Sequence, residues 1–167
     1  MFYLTNTKNR LRIIEENLYT GLVKNEFAVP LRQQSLNVDN YILNYSAEHR
    51  QIMLTLSNQI LIYSLESKTL IFVGEAAQNR TPCFIERAVY KRGHLYFSAT
   101  DHFQLFSVSI KDCIRNEAIN HYNKFKLPEV RVLALAIGIR KLVALCSDSH
   151  LRVWDCDSCA VLKAIYI

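Results

Sequence analysis

Glycine and proline are scarce, four and three in 167 residues. So few glycines cannot easily build the Gly-rich loop that cradles phosphates, and no spacing that marks such a loop is present. No stretch approaches 18 consecutive apolar residues, so no membrane-spanning helix is expected. The opening "MFYLTNTKNR" holds no apolar run of the kind a secretory signal needs. No low-complexity tract occurs, and helical spacing of apolar residues is hard to find. No Ser–His–Asp grouping stands out, nor any pair of carboxylates in a cleft-like context, so an enzyme is not expected. Nothing in the sequence asks for a cofactor or a metal.

Half of the residues, 50%, are hydrophobic and 21% are charged, a balance that supports one ordinary globular domain. Nine Tyr and eight Phe favour strands. The net charge of +5 permits an acidic partner, RNA included, without demanding one. An ordinary soluble basic surface fits the charge as well. The five cysteines (Cys83, Cys113, Cys146, Cys156 and Cys159) are an odd number, and three sit in or beside apolar runs. That is no disulfide framework, and a reducing, intracellular setting is expected. The sequon Asn79–Thr81 is followed by Pro82, and in such a setting it is not expected to carry a glycan.

Short apolar runs with two-residue alternation recur along the chain, cut apart by turn residues, which predicts an all-β fold. The segment Leu151–Asp155, "LRVWD", serves as a template. "FQLFS" repeats it with Phe106 in the place of Trp154, "ILIYS" with Tyr63, and "LRIIE" with Ile14. These four places lie roughly 40–50 residues apart, close to the period of a four-stranded propeller blade. The predicted units are an incomplete blade over 1–29 that lacks its innermost strand, then blades over 36–76, 80–120 and 128–167. Strands are expected at 40–45, 51–56, 59–65 and 69–73 in the second unit. In the third they are expected at 83–90, 94–99, 103–109 and 114–119, and in the fourth at 130–137, 142–146, 151–155 and 161–167. "AVPLRQQSL" and "NHYNKFKLPE" read as linkers between blades. The total is roughly three and a half blades, a partial β-propeller, where closed propellers hold roughly four to eight. Such an arc leaves two raw edges. It is expected to belong to a longer propeller or to complete one by self-association.

"CDSC", Cys156 to Cys159, follows the template directly. A C-x-x-C redox site needs a helix N-terminus to lower the thiol pKa, and a structural zinc needs two more ligands at matching spacing. The register supplies no helix, there is no second C-x-x-C, and the five His are scattered. The segment is expected to be a plain turn into the last strand.

"SDSHLRVWD" together with the period resembles the WD-repeat proteins. More narrowly, "RLRIIEENLYTGLVKNE", "SNQILIYSLESKTL" and "LRVWDCDSCAVLKAI" are similar to the PAK-interacting-protein-like nucleolar WD-repeat family, over most of these residues. The resemblance implies a non-catalytic scaffold of the nucleus and nucleolus that acts in maturation of the large ribosomal subunit. The implied partners are pre-ribosomal assembly factors and, as in some animal members, a p21-activated kinase that is bound and restrained. In WD-repeat proteins the third-strand Trp fills the gap between blades. Its indole N–H is met by a Ser tied to a His and to an Asp in the turn between strands two and three. Carried over, Trp154 and Asp155 are the signature pair and Asp148 is the turn Asp, with the hydroxyl expected from Ser147 or a neighbour. The Gly expected after the turn Asp is Ser149, and "KLPE" stands where the His belongs.

In a propeller the turns between strands one and two, and between three and four, lie on one face. The one-to-two turns carry Arg50, then Lys91 and Arg92, then Arg140 and Lys141, against only Glu48. The three-to-four turns carry Glu15, Glu16, Glu66, Asp112, Asp155 and Asp157, with Lys68 and Lys111. A basic inner arc with an acidic outer rim is expected, able to make weak contact with RNA phosphates. Turns also favour polar residues for their own sake. The alternative functions are an adaptor subunit of another complex, such as an RNA-modifying enzyme or a ubiquitin ligase, or a truncated copy without function.

Overall fold

The computed structural model describes residues 1–7, 10–30, 41–78, 81–99, 103–116, 119 and 122–167. The short apolar runs fold into antiparallel meanders, and the middle strands of the second and third sheets are buried on both faces. The first sheet joins β1 (Phe2–Thr7), β2 (Arg10–Glu16) and β3 (Val23–Ala28). The second joins β4 (Tyr41–Ser46), β5 (Gln51–Leu56), β6 (Gln59–Ser64) and β7 (Thr69–Glu75). A small ribbon, β8 (Ala77–Gln78) with β9 (Thr81–Pro82), leads on to the third. That sheet holds β10 (Ile85–Lys91), β11 (His94–Ala99), β12 (Gln104–Ser109) and β13 (Asn123–Phe125). The fourth holds β14 (Val132–Ile137), β15 (Lys141–Cys146), β16 (His150–Asp155) and β17 (Val161–Tyr166). One three-stranded and three four-stranded sheets match the expected count of blades.

The first strands β4, β10 and β14 lie side by side, and the sheets stack around them. Each junction between sheets has its own apolar cluster. Ile13 and Phe27 meet Leu54, Leu61 and Tyr63 at the first. Met53, Ile62 and Phe72 meet Phe97 and Phe106 at the second. Tyr96, Leu105 and Phe125 meet Leu142 and Trp154 at the third. Burying one such side chain stabilises by about 1.5–3 kcal/mol, so the junctions hold the stack together.

The third sheet differs from its sequence reading. A fourth strand was expected over 114–119, but Ile110–Asn116 is a helix, α1, and the fourth strand is β13. The reason is local. The Ser109 hydroxyl accepts the Asp112 N–H at 3.3 Å, as an N-cap does, and Ile110, Cys113 and Ile114 share one inward face. The third unit therefore runs to Phe125, past 120, and the expected linker "NHYNKFKLPE" contains a strand. Residues 31–36 of the other expected linker, residue 40 of the expected 40–45 strand, and Asn79 and Arg80 of the sequon lie outside the described residues.

Scarcity of glycine shows in the turns. Arg50, Ser57, Lys68, Arg140, Ser149 and Cys159 all take positive φ, between 49° and 89°. Glycine takes this role at Gly21, with φ of 66°, between β2 and β3, and at Gly93 in the turn from β10 to β11. Arg92 and Gly93, with φ of 51° and 73°, form its two central residues, as a tight hairpin requires.

Candidate interaction notch between the third and fourth sheets

Trp154 sits on β16 and is fully buried at the third junction. Its ring meets Phe125 edge-on, with centroids 6.3 Å apart. The indole N–H donates to the carbonyl of Lys126 at 3.0 Å. The bond therefore goes to the backbone just past β13 and not to a serine. Ser147 is engaged elsewhere, accepting the Arg131 N–H at 3.1 Å.

Asp148 makes a different bond from the one carried over from WD-repeat proteins. It takes a two-pronged ion pair from Arg152, at 2.8 and 2.5 Å, with His150 at 3.4 Å. The Arg152 guanidinium beside it holds the Asp148 carboxyl down at about 2. Asp148 thus ties the turn to β16 of its own sheet. No signal in the sequence marked Arg152 as the partner, although it stands four residues on, across the hairpin.

Asp155 closes the "CDSC" turn. Its Oδ1 accepts the N–H groups of Asp157 and Ser158 at 3.1 and 2.9 Å and the Ser158 hydroxyl at 2.9 Å. These bonds hold its pKa below the ordinary carboxylate value. Cys156 and Cys159 are half-buried free thiols, and burial pushes both pKa values up. A thiol in that state is a poor nucleophile and a poor metal ligand. Among the described residues, no three His, Cys, Asp or Glu stand together to hold a metal ion.

The five residues of the expected basic arc do not all converge. Lys91, Arg92 and Arg140 line one cavity of about 380 Å³ between the third and fourth sheets, whereas Arg50 and Lys141 lie outside it. The backbone explains the convergence. β10 and β14 are neighbours, so the turns that follow them sit side by side. The Lys91 ammonium reaches across and donates to the Ile137 carbonyl at 3.3 Å. His94, Tyr96, Asn123 and Cys156 complete much of the lining.

Asp157, assigned to the outer rim, lines the same cavity. Arg140 donates to its Oδ2 from two nitrogens, at 3.0 and 2.5 Å. Basic arc and acidic rim therefore interleave at this point. The Arg140–Asp157 pair is open to solvent, so it adds little stability. It does neutralise one cation of the three. Lys91 and Arg92 leave the notch with a net positive charge at an edge where backbone turns are accessible. Such a site can receive an anionic group. The sequence placed Asp157 and the cations on one face. The meeting of Lys91 and Arg92 with Arg140 and Asp157 across a sheet junction needed the fold.

No protein-family model matches the sequence, and neither does any curated protein. The solved structures it is similar to include the computationally designed Ika8 protein, at 13% identity with a TM-score of 0.63. They also include apo AztD from Citrobacter koseri, at 11% identity with a TM-score of 0.67. The matches cover 95% and 99% of this chain but 46% and 44% of those two, so the chain spans less than half their length. Both are β-propellers, and the chain has the fold of a partial β-propeller.

Proposed function

We propose that the protein is a non-catalytic scaffold of the WD-repeat kind that binds an acidic segment of a protein partner at the notch between its third and fourth sheets. The observation that carries this reading is the convergence of Lys91, Arg92 and Arg140, from turns of two adjacent sheets, on one solvent-open cavity. The buried Trp154 at a sheet junction and the turn closed by Asp155 support the WD-repeat assignment. The sequence resemblance supports the setting, which is large-subunit ribosome biogenesis in the nucleolus, with pre-ribosomal assembly factors as partners. A p21-activated kinase is a further partner on the same ground. Contact with RNA is secondary, through the same cations.

The test is affinity capture from cells with the wild-type chain and with Lys91→Glu/Arg92→Glu. Assembly factors recovered by the wild type and lost, at least tenfold, by the variant support the reading. Recovery of subunits of an RNA-modifying enzyme or a ubiquitin ligase would move the scaffold to another pathway. Capture unchanged by the charge reversal would remove the notch from the function.

A further inference from the structure

The register of the sheets exposes a difference between the internal junctions and the two ends. In the first three sheets, Ile13, Ile62 or Leu105 on the last strand but one pairs across to a phenylalanine on the last strand: Phe27, Phe72 or Phe125. All six are buried against the following sheet. The aromatic of that following sheet meets the phenylalanine. Tyr63 stands 5.6 Å from Phe27, Trp154 stands 6.3 Å from Phe125, and Phe106 shares a cluster with Phe72.

In the fourth sheet the same register gives Val153 paired with Lys163. Lys163 is exposed, and Val143, Leu145, Leu151 and Ile165 on the same face are only half-buried. None of them belongs to any of the three junction clusters. This is an apolar sheet face of the kind that every earlier sheet covers, with a cation where the phenylalanine stands.

The first sheet shows the complementary change on its opposite face. Ile14 holds the aromatic place, and its cross-strand partner is Glu26. Glu26 is also ion-paired with Arg12 of the same sheet. The phenylalanine-to-aromatic contact of the internal junctions is thus replaced by lysine at one end and by isoleucine beside glutamate at the other. Opposite charges that replace an apolar pair also set the direction of docking.

We infer that the free face of the fourth sheet is an interaction surface for the first sheet of a second copy of this chain, joined head to tail. Lys163 of each copy meets Glu26 of the other. Two copies joined at both ends form a closed ring. A ring leaves neither end face uncovered. The inference stands apart from the notch and its partner.

The experiment is light scattering on the purified chain, with circular dichroism on the same peak. The expected mass is twice 19.4 kDa. Lys163→Glu alone and Glu26→Lys alone are each expected to self-associate at least tenfold more weakly. An equimolar mixture of the two is expected to recover the doubled mass, because each junction then holds opposite charges again. Both positions are exposed or nearly so, and both variants are expected to keep the wild-type circular dichroism spectrum. A wild-type mass other than the dimer's overturns the inference. So does a single variant that stays dimeric, or a mixture that stays monomeric.

Discussion

Tyr63 and Trp154 hold equivalent places in the second and fourth sheets and make the same bond. Each donates at 3.0 Å to a backbone carbonyl at the end of the preceding sheet, Tyr63 to Ala28 and Trp154 to Lys126. Each is fully buried beside a phenylalanine of that sheet. A large ring fills the wedge between two twisted sheets, and its single polar hydrogen meets a backbone carbonyl of the preceding sheet's last strand or just past it. At the middle junction Phe106 has no such hydrogen. There the hydroxyl of Tyr122, whose ring lies 5.4 Å from Phe106, accepts the Ala77 N–H at 3.1 Å.

Removing the Tyr63 hydroxyl tests this device. Tyr63→Phe keeps the ring and strands the Ala28 carbonyl, so unfolding in urea is expected to show a loss of about 1–2 kcal/mol. Trp154→Phe also removes ring volume from the third junction and is expected to cost about 2–4 kcal/mol. An unchanged midpoint for Tyr63→Phe would mean that the hydroxyl contributes nothing net to the junction.

Turn backbone offers a gain in stability. Ser149 has φ of 60° and follows Asp148, where WD-repeat proteins carry glycine. A side chain in that region costs about 1–2 kcal/mol, of which the greater freedom of glycine in the unfolded chain offsets a part. Ser149→Gly is therefore expected to stabilise by up to about 1 kcal/mol. Ser149→Val is expected to destabilise by more than that, because a β-branched residue fits the region poorly. Thermal unfolding of the two variants side by side gives the sign directly.

Much of the fold was legible because period and alternation are local signals repeated along the chain. Tyr63, Phe106 and Trp154 fall on the third strands of their sheets, as their spacing implied, and Ile14 on the second strand of the three-stranded sheet. The helix Ile110–Asn116 was missed because its apolar residues also fit a short strand, and the Ser109 cap was the only cue against it. The notch was half legible. Turn positions put Lys91, Arg92 and Arg140 on one face, but the ion pair of Arg140 with Asp157 joins two turns of one sheet. That distance is set by twist and not by sequence spacing. The bonds of Trp154 and Asp148 departed from the family pattern for a similar reason. A nearby carbonyl and a nearby arginine met each need first.

Acid provides a test of the Asp148–Arg152 pair. The folded carboxyl titrates at about 2, against an ordinary value of 3.8. A depressed folded pKa means that the stabilisation is present above the unfolded value and is lost as the pH falls toward 2. Asp148→Asn cannot make the ion pair at any pH. The urea midpoint of the wild type is expected to exceed that of the variant near pH 6, and the gap is expected to narrow toward about pH 2. A gap that does not change over this range would mean that Arg152 does not hold the carboxylate.

The exposed pair in the notch offers the last test, because it holds one cation back. Asp157 neutralises Arg140 and lies within the cavity. Asp157→Asn leaves the turn in place, since the turn is closed by Asp155, and it frees Arg140. A short acidic peptide is then expected to bind several-fold more tightly than to the wild type, with a steeper loss of affinity as salt rises. Arg92→Glu is expected to weaken the same peptide several-fold. Fluorescence anisotropy across a salt series measures both. If both variants shift affinity in the same direction, or neither does, the peptide is not reading the charge of this notch.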